Sequence, residues 1–302
     1  MYGLVDLSKS VYPIALSLEK YLHQAMTIST NRSGPRKSLG QHFLADNRIA
    51  DRILDAAKLS QDDVVVEIGP GRGALTKRLV EQVKHVVAVE LDSDLVATLP
   101  KKLNDPTNLT CVEADARVVD LAKLIEPEVR YKVVANLPYY AANLIIRRLL
   151  ESQPKPEALV VMVQLEVAKN MVAQPGYMWI LSVATQFYAK AKMVCSVPPR
   201  SFRPPPKVTS AVVRLDVLPS PAAAVASEED FFTVVRAGFA APRKQIRNSF
   251  SQGLGIEPSA GGAILAEAGI DATRRPQTLD IAEWALVYQV WDKSPQNPKK
   301  GD

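Results

Sequence analysis

From Asp46 onward, the apolar positions of the chain follow two alternating spacings. The stretch DNRIADRILDAAKL has apolar residues at helical spacing behind Asp46, which can cap the helix. The predicted strands are DVVVEIG, HVVAVEL, NLTCVEA, YKVVANL and EALVVMVQ, and the helices predicted after four of them are ALTKRLVEQV, SDLVATLPKKL, ANLIIRRLLES and EVAKNMVA. Strands this continuously apolar are typical of a parallel sheet covered by helices on both faces. The pattern predicts a doubly wound, Rossmann-like α/β domain with ligands at the carboxyl ends of its strands.

The pattern changes after Leu181. KAKMVCSV and KVTSAVVRLDVL are predicted strands, and the Pro-rich PPRSFRPPP between them suits an antiparallel edge. Beyond PSPAAAVA, Ser227 and Asp230 resemble a capping box that opens FFTVVRAGFA, and the rest of the chain is predicted to be helical. The predicted organisation is an N-terminal extension (1–35), an α/β domain (36–218), a linker (219–226), a small all-helical C-terminal domain (227–292) and a polar tail (293–302).

Composition narrows the class of protein. The chain has 302 residues, 47% hydrophobic and 23% charged, with a net charge of +5 and a pI of about 9.1. This basic excess fits a polyanionic partner, although many enzymes without one share it. Cys111 and Cys195 form no CxxC pair and the three histidines have no ligand spacing, so we expect no metal site and a cytoplasmic location.

The sequence gives no sign of a membrane protein. No apolar run reaches the roughly 20 residues that span a bilayer. The N-terminal segment lacks the basic start of a signal peptide and is interrupted by Lys9, Pro13 and Glu19. It is either a short helix from Ile14 to Met26 or sequence annexed upstream of Met26.

A glycine-rich motif, EIGPGRG, follows the first predicted strand. Gly69, Gly71 and Gly73 permit a tight turn and let a ligand lie against the backbone. The dinucleotide fingerprint GxGxxG spaces its glycines differently and directs a helix toward a pyrophosphate. An acid followed by GxGxG is the arrangement of methyltransferases that use S-adenosylmethionine (SAM), whose sulfonium cofactor has no phosphate.

Two acidic residues end the next two strands. Glu90 is placed to accept hydrogen bonds from both ribose hydroxyls, and Asp115 to accept one from the exocyclic amine of the cofactor's adenine. Glycine turns and acids at strand ends are common in α/β folds, and each alone would be weak evidence. Their order on three consecutive strands predicts a nucleoside-binding site.

The fourth strand ends in Asn-Leu-Pro-Tyr. An adenine N6 amine is a poor nucleophile because its lone pair is delocalised into the ring, and acceptors for its N–H bonds would favour the reactive nitrogen. The side-chain oxygen of Asn136 and the carbonyl of Pro138 suit that task, and Tyr139 can stack on the base. Alternatively, Asn136 caps the following helix with Pro138 in its first turn, which would leave the pair Tyr139–Tyr140 unexplained.

With these motifs in place, the chain resembles the ribosomal small-subunit adenine dimethyltransferases of the kasugamycin-sensitivity family, from about Lys37 to the end of IAEWALVYQV. The motifs carrying the resemblance are SLGQHFL, EIGPGRGALT, VVAVELD, EADA, NLPYY, QLEVAKNMVAQPG, LSVATQFYA and VPPRSFRPPPKVTSAVVRL. The resemblance implies a SAM-methyltransferase sheet. It also implies that His42 and Leu44 close over SAM beside Gly69, Glu90, Asp115 and Asn136, and that Phe202 covers the target adenine opposite Tyr139.

The family's reaction transfers four methyl groups to two adjacent adenosines in the 3′-terminal hairpin of small-subunit (16S) rRNA. The resemblance therefore implies SAM as cofactor, rRNA of a 30S assembly intermediate as partner, and an RNA-recognition role for the C-terminal domain. The sequence leaves two interpretations of Arg243, Lys244 and Arg247: they contact phosphates of the RNA, or they form a solvated surface. We take a monomer as the default.

The sequence departs from the family in two places. The segment PGYMWILSV is shorter than usual and lacks the family's Lys and Tyr-Gly, and Pro242 interrupts a usually basic run. Both departures lie outside the cofactor site, so they bear on RNA docking or target order. The alternatives are a large-subunit rRNA dimethyltransferase of the macrolide-resistance type, a non-catalytic RNA-binding assembly factor and, remotely, a nicotinamide oxidoreductase.

Overall fold

A seven-stranded sheet organises the part of the chain that the structure, a computed structural model, describes, residues 42–300. Five of its strands are parallel and run in the order β4–β3–β2–β5–β6. They are β2 (Val64–Ile68), β3 (His85–Glu90), β4 (Leu109–Glu113), β5 (Lys132–Asn136) and β6 (Ala158–Gln164). The strand order reverses between β2 and β5, so the crevice for a ligand lies at their carboxyl ends, as the sequence predicts.

Two antiparallel strands complete the sheet. The outer strand is β7 (Ala189–Val197), and β9 (Ser210–Val217) lies between it and β6. The connection between β7 and β9 contains a 3₁₀ turn at Pro199–Ser201 and the two-residue strand β8 (Phe202–Arg203). β8 pairs with β1 (Phe43–Leu44), which precedes the main sheet in the chain. The predicted antiparallel edge is confirmed, and the Pro-rich connection holds β1 in place.

Helices cover both faces of the sheet because its strands alternate side chains between them. They are α1 (Asn47–Ala57), α2 (Thr76–Leu79), α3 (Ser93–Lys102), α4 (Leu121–Ile125), α5 (Ala142–Glu151), α6 (Leu165–Met171) and α7 (Ile180–Tyr188). Val65, Val134 and Val160 face a core that includes α1. Val66, Val133 and Val161 face a second, larger core that includes α5.

The C-terminal region is entirely helical, as predicted. It consists of α8 (Glu228–Gly238), α9 (Ile246–Leu254), α10 (Pro258–Glu267) and α11 (Ile281–Lys293), with 3₁₀ turns at Pro276–Thr278 and Pro298–Lys300. It packs directly on α7, where the rings of Phe187 and Phe231 stack with centroids 4.6 Å apart. The hydroxyl of Tyr188 donates to Glu228 at 2.6 Å. The larger core is therefore continuous from the sheet into the C-terminal helices, while the domain limits stay a prediction.

Several local predictions need correction or refinement. Asp46 caps α1 by accepting from the backbone N–H of Arg48, as predicted. ALTKRLVEQV forms only the four-residue helix α2, with turns on either side.

At α8, Ser227 accepts from the backbone N–H of Asp230, but the reciprocal half of the capping box is replaced by other partners. The N–H of Ser227 donates to the Tyr288 hydroxyl, and the Asp230 carboxylate pairs with Lys299. The helix considered for Ile14–Met26 lies outside the described residues.

Gly238 provides a test of the packing in the C-terminal helices. A Cβ at this position would overlap with the buried ring of Trp284. We expect Gly238→Ala to destabilise the protein by about 1–3 kcal/mol, because the core must shift to admit the methyl group. Urea unfolding followed by tryptophan fluorescence would measure the change.

Gly262→Ala is the matched control, since a Cβ there meets only the flexible stem of Arg247. Alanine is the better helix former, so this substitution should be neutral or slightly stabilising, by up to about 1 kcal/mol. Equal effects of the two substitutions would contradict the packing described here.

Candidate active site

The glycine loop after β2 forms the floor of the site. Gly69, Gly71 and Gly73 all have positive φ angles, of 71°, 56° and 85°. A Cβ on Gly69 would lie 3.3 Å from the backbone carbonyl oxygen of Asn136, and one on Gly71 would lie 2.9 Å from the ring of Phe43. Both the left-handed backbone and the close packing therefore require glycine. The loop therefore places backbone atoms that no side chain covers at the carboxyl end of the sheet.

Glu90 is held in place by backbone donors. Its Oε2 accepts from the N–H of Gly71 at 3.2 Å, and its Oε1 accepts from the N–H groups of Leu91 and Asp92 at 2.9 and 3.1 Å. The residue is buried at the end of β3. These bonds fix the carboxylate beside the glycine loop, and its role as an acceptor for ribose hydroxyls stays a prediction.

Glu67 is a second buried acid, on the neighbouring strand β2. Its Oε2 has no hydrogen-bond partner among the described residues and is shielded from solvent. Burial, with a smaller effect of the nearby Glu90, raises the pKa of Glu67 to about 8, against the opposing effect of Thr76. At neutral pH the Glu67 carboxyl is therefore mainly protonated. The sequence analysis noted this acid only as the first letter of the glycine motif.

Asp115 lies in the loop after β4 and is engaged by Arg117. The guanidinium reaches both carboxylate oxygens, with Nη2 to Oδ2 at 2.6 Å, and the Arg117 backbone N–H donates to Oδ1 at 2.9 Å. These bonds hold the pKa of Asp115 below its usual value. Arg148 on α5 fastens the loop by donating to the carbonyls of Arg117, Val118 and Val119. A ligand amine at Asp115 must therefore share or displace the Arg117 guanidinium.

The corner after β5 leaves acceptors open for an amine. The side-chain N–H₂ of Asn136 donates to the backbone carbonyl of His42 at 3.2 Å, and its Oδ1 makes no hydrogen bond to the described residues. The carbonyl of Pro138 accepts from the N–H of Ala141 at 3.0 Å and retains a second lone pair. The alternative role of Asn136 as a helix cap does not hold, because α5 starts after Ala141 without a side-chain cap.

Tyr139 is fixed at its hydroxyl and on its ring. The hydroxyl hydrogen-bonds to Ser210 on β9 at 2.6 Å. The imidazole of His42 lies near the ring, with centroids 6.1 Å apart and an interplanar angle of 30°, and its Nδ1 is 2.8 Å from the Pro204 carbonyl. Burial raises the pKa of Tyr139, which keeps the phenol protonated. Neighbouring Tyr140 is exposed.

Leu44 and Phe202 lie opposite each other where β1 pairs with β8. Leu44 is buried and Phe202 is only 1% exposed, and both belong to the core that includes α1. In this structure the Phe202 ring thus packs into the protein, as a turn anchor would. Its expected role over a target base stays a prediction.

The chemistry of this edge suits a nucleoside carrying a positive charge. Carboxylates at Glu90 and Asp115 can accept from hydroxyls and an amine, and the glycine loop admits a ligand against its backbone. The only basic residue of the loop, Arg72, lies over the Phe43 ring with its guanidinium carbon 4.5 Å from the centroid. These acceptors suit the hydroxyls and amine of SAM, and the glycine loop does not have the phosphate-directed arrangement of a dinucleotide site.

Comparison with known proteins decides the family. The model of the family described as ribosomal RNA adenine dimethylase matches residues 32–287. The chain belongs to this family. A ribosomal RNA small subunit methyltransferase A from Dehalococcoides mccartyi is 43% identical over 263 residues, which are 86% of this chain and 89% of that protein. One from Pelotomaculum thermopropionicum is 44% identical over 265 residues, covering 84% and 90%.

Solved structures agree with the dimethylase fold. A dimethyladenosine transferase from Plasmodium falciparum matches with a TM-score of 0.73 and 25% identity, covering 83% of this chain and 98% of that one. The 23S rRNA methyltransferase ErmE matches with a TM-score of 0.66 and 28% identity, covering 83% and 100%. The resemblance inferred from the motifs, the Rossmann-like methyltransferase fold and the activity as an rRNA adenine dimethyltransferase are thereby confirmed.

Two features are absent from the part of this dimethylase that the structure describes. Among residues 42–300, no group of three or more His, Cys, Asp and Glu side chains is arranged to hold a metal ion. Within the same part of the chain, no helix has both the length and the apolarity to cross a membrane.

The raised pKa of Glu67 predicts a specific pH dependence of stability. Its carboxyl ionises near its ordinary pKa when unfolded but near pH 8 when folded, so the folded state binds the extra proton between these values. The contribution of Glu67 to the free energy of unfolding must therefore fall as pH rises from about 5 to about 8, by up to about 1.4 kcal/mol per pH unit. Urea unfolding of wild type and Glu67→Gln at pH 5, 6.5 and 8 should show a steeper decline for wild type.

Glu113→Gln is the control, because it removes an exposed carboxyl from the same sheet. It should leave the wild-type pH slope unchanged. Parallel slopes for wild type and Glu67→Gln would show that Glu67 is ionised in the folded protein.

Proposed function

We propose that this dimethylase uses SAM to dimethylate N6 of two adjacent adenosines in the 3′-terminal hairpin of small-subunit rRNA, during 30S assembly. The observation that carries the proposal is the corner at Asn136, where an unused amide oxygen stands beside a fixed proline carbonyl at the edge of a nucleoside site. We further propose that it acts as a cytoplasmic monomer.

The proposed cofactor site consists of His42, Leu44, Gly69, Glu90, Asp115 and Asn136. Glu90, already oriented by three backbone N–H groups, accepts from the ribose hydroxyls. Asp115 accepts from the adenine amine, and Gly69 gives the cofactor access to the backbone. SAM supplies an electrophilic methyl group on a positively charged sulfur, so the acids of this edge also favour its binding electrostatically.

The proposed target site uses the remaining acceptors of the same corner. In the first transfer to a base, the Oδ1 of Asn136 and the carbonyl of Pro138 accept from the two N–H bonds of the adenine amine and direct its lone pair toward the methyl group. One N–H bond remains for these acceptors in the second transfer. Each transfer breaks a methyl–sulfur bond, forms a methyl–nitrogen bond and releases one proton from the amine. Tyr139, oriented by Ser210, stacks on the base. Phe202 covers the other face of the base in this proposal, which requires its ring to leave its buried position.

The small subunit is favoured over the large subunit by the comparisons. Relatives named as small-subunit enzymes share 43–44% identity with this chain, whereas the 23S rRNA methyltransferase ErmE shares 28%. Large-subunit methylation is kept as a second candidate because ErmE has the same fold over its whole length.

The role of Asn136 leads to a direct test. We expect Asn136→Ala to lower methyl transfer by about 10²–10³-fold, because an acceptor aimed at the developing charge is lost. Labelled SAM would be incubated with unmethylated small subunits, large subunits and naked rRNA, and modified nucleosides mapped by mass spectrometry. Asn143→Ala removes an exposed amide from α5 and should retain activity.

Each result of this assay has a distinct meaning. Dimethyladenosine in the 3′-terminal hairpin, lost only in Asn136→Ala, would support both substrate and mechanism. Modification confined to large-subunit rRNA would favour the second candidate. Binding of SAM and subunits without any methylation would leave an assembly factor and refute the role given to Asn136.

A further inference from the structure

Three aromatic rings form a column that runs from the core to the surface. Trp284 is fully buried in α11, and Phe239 lies next to it with ring centroids 5.6 Å apart. Trp179 lies on Phe239, with centroids 6.4 Å apart and an interplanar angle of 25°. Trp179 is nevertheless 46% exposed. Its ring is supported on one side by the core and leaves surface available for another flat group.

The loop that carries Trp179 is held by the C-terminal region. The N–H groups of Gly176 and Met178 donate to the carbonyl of Gln277 at 2.8 and 3.2 Å, and the Gln277 side chain donates back to the Gly176 carbonyl at 3.0 Å. Met178 is buried, which anchors the loop from below. Tyr177, 79% exposed, and Ile180 are thus presented to solvent by a fastened backbone.

Basic residues lie on the segments that contact this loop. Residues 239–247 follow the stacked Phe239, and residues 272–278 bond both to the loop and, through the carbonyls of Ala272 and Arg274, to the start of α9. Together with 176–180, these segments contain five Arg or Lys and no Asp or Glu. Arg274 pairs with Glu283. Within these three segments, the exposed bases that make no ion pair with any described residue are Arg243, Lys244, Arg247 and Arg275.

Arg247 also lies beside a glycine of α10. Its Cδ is 3.3 Å from where a Cβ of Gly262 would be, and the residue is exposed.

We propose that the exposed rings of Tyr177 and Trp179, beside these four bases, form a stacking surface for unpaired nucleotides of the RNA substrate, outside the target adenosines. An exposed aromatic ring can stack on any base, and unpaired Arg and Lys contact the phosphates. Asp271 is the only acid within one residue of the three segments, and this excess of bases over acids favours a polyanion over a protein surface of mixed charge. The inference rests on the proposed function for the identity of the RNA, and it assigns a role to the unusual segment PGYMWILSV.

Equilibrium binding without turnover would test the surface. The full chain and its variants would be titrated with a fluorescent, protein-free 3′-terminal rRNA fragment and, separately, with small subunits. We expect Trp179→Ala and Tyr177→Ala to weaken RNA binding about 10-fold each, with Trp179→Phe close to wild type. Arg247→Gln should lower the dependence of log Kd on log salt by roughly 0.7–0.9.

The controls are Leu286→Ala, a half-exposed apolar residue on α11, and Lys190→Gln, an exposed base on β7. Leu286→Ala should bind RNA like wild type, and Lys190→Gln should keep the wild-type salt dependence. Unchanged cofactor affinity and circular dichroism would show that the loop variants are folded. In methylation assays Trp179→Ala should raise KM for RNA and leave kcat unchanged.

The outcomes separate this inference from the proposed function. The proposed surface would be overturned if Trp179→Ala and Tyr177→Ala bound RNA with the same affinity as Leu286→Ala, even if wild type methylates the hairpin. Weakened binding to subunits with unchanged binding to protein-free RNA would assign the surface to a ribosomal protein and overturn the inference. Wild type that binds RNA through Trp179 but methylates nothing would refute only the proposed function. Lack of RNA binding by wild type would overturn both.

Discussion

The active site depends on the close contact between the glycine loop and its two neighbours. The loop must pass between the ring of Phe43 and the end of β5, where even a methyl group at Gly69 or Gly71 would be crowded. This packing brings three distant parts of the chain to one point. It also explains why β1, a strand of two residues, pairs with β8: that pairing fixes Phe43 over the loop and places the His42 carbonyl within reach of Asn136. Loss of the glycines would therefore disturb both the proposed cofactor side and the proposed target side of the site.

Much of the fold could be predicted because its cause is local. Continuous apolar strands can exist only where both faces are buried, so their number, type and order in the chain were readable from the pattern. The position of the site followed as well, since parallel strands end at one edge and the motifs lie at those ends. Helix limits were less readable. The segment after the glycine loop has apolar spacing suitable for ten helical residues, yet only Thr76–Leu79 form a helix, with turns on either side.

The contacts that orient the site could not be predicted in the same way. Arg117 is an ordinary charged residue in the sequence. Its hydrogen bonds to Asp115 depend on the conformation of their loop, to which Arg148 of α5 donates hydrogen bonds. Ser210 lies 71 residues from Tyr139 in the chain. Likewise, the burial of Phe202 follows from the pairing of β8 with β1, and the column formed by Trp179, Phe239 and Trp284 joins three separate segments. Each is a long-range arrangement that a single sequence does not encode by spacing.

The distribution of charge joins the two binding tasks proposed for the protein. A positively charged cofactor and a negatively charged RNA require opposite environments within one small enzyme. The proposed cofactor site contains Glu90 and Asp115, and the raised pKa of the neighbouring Glu67 limits repulsion between Glu67 and Glu90. Four exposed bases that make no ion pair with the described residues lie elsewhere, on segments free of acids. Since exposed charges are screened within about 10 Å at moderate salt, surface bases weaken cofactor binding little when they lie further away than that. A net charge of +5 is thus compatible with a site that attracts a cation, because the two signs act on different ligands at different places.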